Sequence, residues 1–196
     1  MPVTQLPITD APTKRDAILE AALDLFAEHG FDATPVPMIA ERAGVGAGTI
    51  YRYFDSKEDL VNTLYQQWKG ELWRFLVSET PAGINARESF RHWWRGLWRF
   101  ATEHPRAFAF LETQHHNPYL TDESHAAGAE IGAGARAFIE RAQATGQIRK
   151  VTPDTLIALV LGAFTGLVKA AGPQGLAFDE ERMVETEEAM WDMLKT

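Results

Sequence analysis

Residues 34–57, TPVPMIAERAGVGAGTIYRYFDSK, hold the side chains best suited to chemistry, and that chemistry is recognition of a polyanion rather than bond-making. Arg52 stands between two phenols, Tyr51 and Tyr53, beside a glycine turn, and a guanidinium flanked by hydroxyls suits phosphate contacts. Lys57 opens a helix, where its charge opposes the helix dipole and makes more sense with an anion nearby. Ala47 offers a methyl to thymine, Gly48 permits close backbone approach, and Thr49 can donate or accept at a base edge. Long polar side chains are scarce here, so direct base readout should be sparse and DNA shape should carry much of the specificity.

These residues need a scaffold, and the sequence provides one. Met38, Ile39, Ala43, Val45, Ile50 and Phe54 recur at helical intervals and predict a small shared core, with Gly44 where the chain reverses. The spacing predicts two short helices across a turn, over about 35–54. Upstream, Thr13 is the expected N-cap of a helix with Asp16 three residues on; Ile18, Leu19, Ala22, Leu25 and Phe26 form its stripe, and Gly30 closes it. Phe31 is placed to fold back on Phe26 or Leu25. Ser56 caps the next helix, whose stripe is Leu60, Leu64, Trp68 and Leu72.

Taken together, ILEAALDLFAEHGFDAT, IAERAGV, GTIYRYF and SKEDL resemble the DNA-binding domain of the TetR/AcrR family of bacterial transcriptional regulators, over roughly residues 12–72. Several motifs in one order, with matching spacing and caps, make the resemblance specific. It implies an all-α fold, with an N-terminal three-helix helix-turn-helix DNA-binding domain over 12–72 and a C-terminal helical ligand-binding and dimerisation domain over 73–196. The implied DNA-facing set is Thr34, Ala47, Gly48, Thr49, Tyr51, Arg52, Tyr53 and Lys57. The implied behaviour is that of a repressor: a homodimer on a palindromic double-stranded DNA operator, released by a small-molecule effector. The chain departs from the family pattern at Gly46 and Ala47, where a hydroxyl cap and a longer polar residue are common, and at Pro35, which replaces another hydroxyl cap. Proline is tolerated in a first helical turn but offers no side-chain cap.

Charge runs against this reading when it is only summed. The chain carries a net −8, and residues 1–57 hold five Lys/Arg against eight Asp/Glu. Placement can override the sum, because Asp16, Glu20, Asp24 and Glu28 recur every four residues on a helix face that need not meet DNA. Affinity for random DNA should therefore be low.

Beyond residue 72, Pro and Gly breaks predict helices over about 86–103, 105–116, 122–145, 153–171 and 179–195, with no competing strand pattern. The breaks are Pro81-Ala82-Gly83, His104-Pro105, Asn117-Pro118, Gly146 and Gly172-Pro173, and the first eleven residues read as a flexible arm. Aromatic residues crowd the middle of this part. Most should be core, yet Trp68, Trp94, Trp98 and Phe108, beside Glu112 and His115, could line a cavity for an aromatic or amphipathic molecule, the use the resemblance implies. Glu112 and His116 share a helix face, which leaves an all-α enzyme or a metal-binding protein as the alternative; turnover or retained metal would reveal it. A third protein ligand has no suitable spacing, so neither a cofactor nor a metal is expected. Arg87, Arg91, Arg95 and Arg99 read as a solvated helix face.

Leu156, Leu159, Val160, Ala163, Leu167 and Ala170 form a broad apolar face, with Gly162 and Gly166 allowing close backbone approach. Met183, Met190, Trp191 and Leu194 are the expected partner stripe. The resemblance implies a dimer interface here, with Leu159, Gly162, Ala163, Gly166, Leu167, Met190 and Trp191 in it. The chain has no cysteine, no recognisable signal peptide and no evident apolar run of the ~18 residues a membrane span needs, so a cytoplasmic location without membrane contact is expected.

Overall fold

The computed structural model describes residues 13–77, 85–113, 117–171, 175 and 177–196, and for Glu112, Thr113 and Asn117 the backbone alone. The N-terminal arm, the Pro81-Ala82-Gly83 and Gly172-Pro173 breaks, His115, His116 and the Glu112 side chain lie outside the described residues. Among the described residues the elements are helices and helical turns, and an isolated β-bridge joins Ile148 to Lys195.

Helix α1 (Lys14–His29) starts as expected. The Thr13 hydroxyl accepts from the Asp16 N–H at 3.2 Å, and the Asp16 carboxylate accepts from the Thr13 N–H at 3.0 Å. The hydrogen bonds from Thr13 hold the Asp16 carboxyl below its usual range. Gly30 ends the helix at φ 79°, its N–H bonded to the Phe26 carbonyl, and the Phe31 ring returns to within 5.7 Å of Phe26. Helices α2 (Val36–Arg42) and α3 (Ala47–Ile50) follow, and Gly44 takes φ 65° between them, a conformation that favours glycine. Ile18, Ala22, Phe26, Ile39, Ile50 and Phe54 close a common core. Met38 does not join it: its side chain is 37% exposed, because Ile39 takes the inward position and the neighbouring residue of a two-turn helix must point away.

Helix α4 (Lys57–Val77) serves both halves of the molecule. Ser56 caps it by accepting from the Asp59 N–H at 3.1 Å. Its first turns bury Leu60, Val61 and Leu64 under α1, and its later turns pack on α5 (Ala86–Glu103) and α7 (Asp122–Ala144). At 21 residues it is about 30 Å long, enough to link the two regions rigidly.

The expected helix over 105–116 is broken. Helix α6 (Pro105–Phe108) continues as a π-helical turn, Ala109–Thr113, and Asn117–Tyr119 forms a separate 3-10 turn. The wider turn lets consecutive aromatics serve different neighbours. Phe108 stays against Phe164, 5.6 Å between ring centres, while Phe110 reaches Phe26 of α1 at 6.3 Å.

Helices α8 (Pro153–Ala170) and α9 (Glu180–Leu194) complete the fold, with Gly146 at φ 71° ending the approach from α7. The arginine ladder of α5 is not wholly solvated. Arg87 and Arg91 close on Glu187 of α9, a buried carboxylate that both cations compensate. Burial, and after it the Arg91 charge, lowers the Arg87 pKa. Helix α8 also corrects the expectation that no apolar run of span length exists: by length and composition its 18 residues could cross a membrane. Only Leu156 and Phe164 of α8 are fully buried in this chain; Ile157, Val160, Leu167 and Val168 are partly covered, and Leu159 and Leu161 are exposed.

Candidate DNA interface and ligand cavity

Helix α3 turns only Ile50 inward, which leaves Ala47 and Gly48 exposed and Thr49 half-exposed. Tyr51 and Tyr53, at 56% and 44% exposure, project on either side of the exposed Arg52, which has no ion-pair partner among the described residues. An added Cβ at Gly48 would meet nothing within 4 Å, so the surface is open to a close approach here.

Two residues of the expected set are placed differently. Thr34 is fully buried, its hydroxyl 2.7 Å from the Gly30 carbonyl and 3.2 Å from that of Leu25, so its side chain fixes the α1–α2 turn and cannot reach DNA. Lys57 donates to the Phe31 carbonyl at 2.7 Å and the Thr34 carbonyl at 3.1 Å, with its ammonium 3.9 Å over the Phe31 ring. It fastens α4 to the same turn, with one of its three N–H donors left for an anion.

Sequence reasoning passed over the start of α1. Lys14 and Arg15 are exposed there, and the Arg15 guanidinium stands 5.3 Å over the Phe54 ring, beside the end of the motif. Two adjacent cations just ahead of the first apolar stripe were the available signal. The acidic ladder of α1 is partly neutralised: Asp24 meets Arg106 at 2.7 Å and Arg42 at 3.6 Å, and Glu28 meets Arg42 at 3.7 Å. Exposed cations thus stand at the α1 start, Lys14 and Arg15, and just beyond α3, Arg52.

The segment before α7 ties this head to the rest. The Tyr119 ring stacks on Phe31 at 4.0 Å, and its hydroxyl donates to Asp32 at 2.6 Å, which raises the Tyr119 pKa. Buried Asn62 of α4 donates to the Tyr119 carbonyl at 2.9 Å and accepts from the Thr121 N–H and the Ser124 hydroxyl at 2.8 and 2.6 Å. The α1–α2 turn and the start of α4 are thus held from the C-terminal side.

Between α4, α5, α7 and α8 lies a cavity of about 220 Å³ with an almost wholly apolar wall. Trp94 and Phe108 are in that wall; Trp68 and Trp98 are not. Trp68 packs on Phe100 and His104, and Trp98 stacks flat on Phe178 at 3.7 Å, one helical turn beyond the cavity. Phe90, Phe138 and Phe164 line the space instead, joined by Leu72, Ile131 and Val160. Among the described residues no group of three His, Asp or Glu could hold a metal ion.

On the outer side of α8, Leu159 is 51% exposed, Gly162 and Gly166 are bare, and a shallow groove lined by Ala163, Gly166, Leu167 and Met190 runs between α8 and α9. Trp191 does not belong to this face. It turns inward onto Phe90 at 5.7 Å with Arg87 over its ring, and Met183 and Leu194 are buried as well.

Residues 18–64 match the bacterial regulatory proteins of the tetR family, and residues 65–196 match the tetracyclin repressor-like C-terminal domain. An HTH-type transcriptional repressor of Mycobacterium tuberculosis is 42% identical over 97 residues, 46% of this chain and 52% of that one. The chain therefore spans about half the length of the curated relatives it matches. Among solved structures, a TetR family transcription regulator from Marinobacter aquaeolei VT8 has a TM-score of 0.81 at 27% identity, covering 93% of this chain and 95% of the other. AibR, solved in complex with isovaleryl coenzyme A and operator DNA, has the same fold at a TM-score of 0.77 and 21% identity, covering 93% and 98%. With matches over both its helix-turn-helix and its C-terminal domain, the chain belongs to the TetR family of bacterial regulatory proteins.

Proposed function

We propose that this protein is a ligand-responsive transcriptional repressor, acting in the cytoplasm as a homodimer on a palindromic operator and released when a small molecule fills the α4–α5–α7–α8 cavity. It is a binding protein, not an enzyme. The observation that carries the reading is the link between the two sites: Phe108 of the cavity wall leads into the π turn, whose Phe110 stacks on Phe26 of the DNA-binding head, while Tyr119 holds Phe31 and Asp32 of the same head. Ala47, Gly48, Thr49, Tyr51, Arg52 and Tyr53 supply the DNA face, with phosphate contacts from Arg52 and the remaining Lys57 donor. The exposed α8 surface with Met190 supports pairing with a second copy, which removes the uncovered apolar area from water.

In a two-fold dimer the reading heads must sit ~34–36 Å apart to enter successive major grooves on one face of the duplex. A ligand that shifts Phe108 and Tyr119 alters that spacing and breaks two-site binding. Selection of bound duplexes from a random pool should enrich an inverted repeat whose half-sites are one helical turn, or a multiple, apart. Enrichment of an isolated half-site, or of no sequence, would remove the dimeric operator from the reading.

A further inference from the structure

Asn62 is a buried amide at the boundary between the reading head and the C-terminal domain. A primary amide offers two donors and two acceptor lone pairs, and here all four are used. Its Nδ2 donates to the Glu58 carbonyl at 2.7 Å within α4 and to the Tyr119 carbonyl at 2.9 Å. Its Oδ1 accepts from the Thr121 N–H at 2.8 Å and from the Ser124 hydroxyl at 2.6 Å. Three of these partners are backbone groups of fixed polarity, so exchanging the amide O and N would set donor against donor at Thr121 and acceptor against acceptor at Tyr119. The Ser124 hydroxyl accepts in turn from the Gln66 amide at 3.0 Å, which returns the network to α4.

These bonds close a ring of contacts around the head. Asn62 holds the Tyr119 backbone, the Tyr119 side chain holds Phe31 and Asp32 of the α1–α2 turn, and Lys57 returns from that turn to the start of α4. Other contacts cross the same boundary but yield more easily. Phe110 and Phe26 meet ring to ring with 6.3 Å between centres, and apolar contact is non-directional, so the rings can slide. Arg106 reaches Asp24 at 2.7 Å from a side chain that is 62% exposed, where an ion pair is weak and the long stem adjusts. Rotating α4 against the start of α7 would instead strip several directional bonds from Asn62 at once and leave buried groups unpaired. The orientation of the head on the C-terminal domain is therefore set chiefly at Asn62.

We infer that Asn62 is a positioning residue for operator recognition: without touching DNA, it sets the distance and angle at which two heads are presented, and so the half-site spacing the protein accepts. This rests on the chain binding an inverted repeat as a dimer. One base pair inserted between the half-sites moves one of them by ~3.4 Å and turns it by ~35° about the duplex axis. A head locked at Asn62 cannot follow, so a single head engages and the gain from two-site binding is lost. A head released from Asn62 follows the displaced half-site, and it loses its preorganisation for the original one.

The full chain is titrated against three duplexes: the inverted repeat enriched from the random pool, the same repeat with one base pair inserted between its half-sites, and a single half-site. The unaltered protein should prefer the original spacing by about 30-fold or more. Asn62→Ala should weaken binding to the original spacing and tighten it to the inserted one, so that the preference falls to about threefold while single half-site affinity stays within about twofold. Ser124→Ala removes one of the four bonds at nearly constant volume and should give an intermediate preference, even where Asn62→Ala folds poorly. Ile39→Val thins the head core that α2 shares with α1 and α3, and it should lower stability while leaving the preference unchanged. A preference retained in both the Asn62 and Ser124 variants, an equal loss of affinity at both spacings, or a preference lowered just as far by Ile39→Val would overturn the inference and leave the dimeric operator standing. So would an unaltered protein that binds the inverted repeat but tolerates the insertion. A pool that yields no inverted repeat would remove the dimeric operator, and the inference with it.

Discussion

The reading head and the effector domain use aromatic and apolar residues to opposite ends. In the head, Phe26, Phe31, Phe54, Ile39 and Ile50 are buried together, so that four-residue α3 is anchored by Ile50 and its other residues face outward. In the C-terminal domain a larger set of rings leaves about 220 Å³ unfilled, and α8 leaves Leu159 and Leu161 exposed. Dense packing fixes the geometry of a surface, whereas incomplete packing leaves room for a ligand and a partner.

The largest expected effect tests whether the regions are energetically separate. Ile50→Ala removes the only buried side chain of α3 and should cost about 2–5 kcal/mol within the head. Operator binding should be lost while the cavity keeps its ligand affinity, measured by tryptophan fluorescence. Loss of both together would mean that head and effector domain unfold as one unit.

The uncovered face of α8 can be probed without disturbing the chain itself. An added Cβ at Gly166 or Gly162 meets nothing within 4 Å, so a side chain can start there without a shift within the chain, and its far end is expected to meet a second copy. Gly166→Leu should weaken association by about 1–3 kcal/mol, by analogy with overpacked cores, and sedimentation should show monomer at concentrations where the unaltered protein is dimeric. Monomer stability should be unchanged or slightly raised, because a glycine leaves the helix interior. An intact dimer with normal operator affinity would move the interface off this groove.

Arg52→Ala should have a smaller and more uniform effect. Removing one phosphate contact per head weakens all sequences alike and lowers the salt slope by about one unit for each head. A changed base preference at one operator position with an unchanged slope would make Arg52 a base reader. Lys14 and Arg15 sharpen the comparison: if the α1 start shares the phosphate contact, Arg15→Ala lowers the slope as well, and an unchanged slope assigns Arg15 to packing on Phe54.

The head was legible in the sequence because its geometry is set locally. The Thr13–Asp16 cap, the Gly30 and Gly44 positive-φ turns and the Ser56 cap each depend on residues within a few positions, and each stands where the pattern puts it. What the pattern missed there depends on the third dimension: Thr34 reads as a surface hydroxyl until the α1–α2 turn folds over it, and Lys57 as a surface cation until Phe31 comes beneath it. The C-terminal helices were legible as helices, but not their rotation. Trp94 and Trp98 lie one turn apart on one helix, and Trp98 sits outside the cavity stacked on Phe178, a residue 80 positions on that no local pattern could pair with it. Apolar residues run round all of α8, so periodicity could not choose Leu156 and Phe164 as its inward pair. The π turn has no residue signal and follows from Phe108 and Phe110 serving different neighbours.

The smallest change expected in binding itself tests the connection between the two regions. Tyr119→Phe keeps the ring on Phe31 and removes only the hydroxyl on Asp32, so operator affinity and helicity should stay close to those of the unaltered protein. The factor by which ligand weakens the operator, and by reciprocity operator weakens ligand, should fall by on the order of 2–30-fold. Its pH dependence has a definite sign. The Asp32 bond raises the Tyr119 pKa above its ordinary value, so the bond is fully present below the usual tyrosine range and is lost only as pH rises through the raised value. The difference in coupling between the two proteins should therefore be flat from pH 6 to 9. A difference that closed near neutrality would assign the link to another titrating group, and unchanged coupling in Tyr119→Phe would leave the transmission to the Phe31 stack and Asn62.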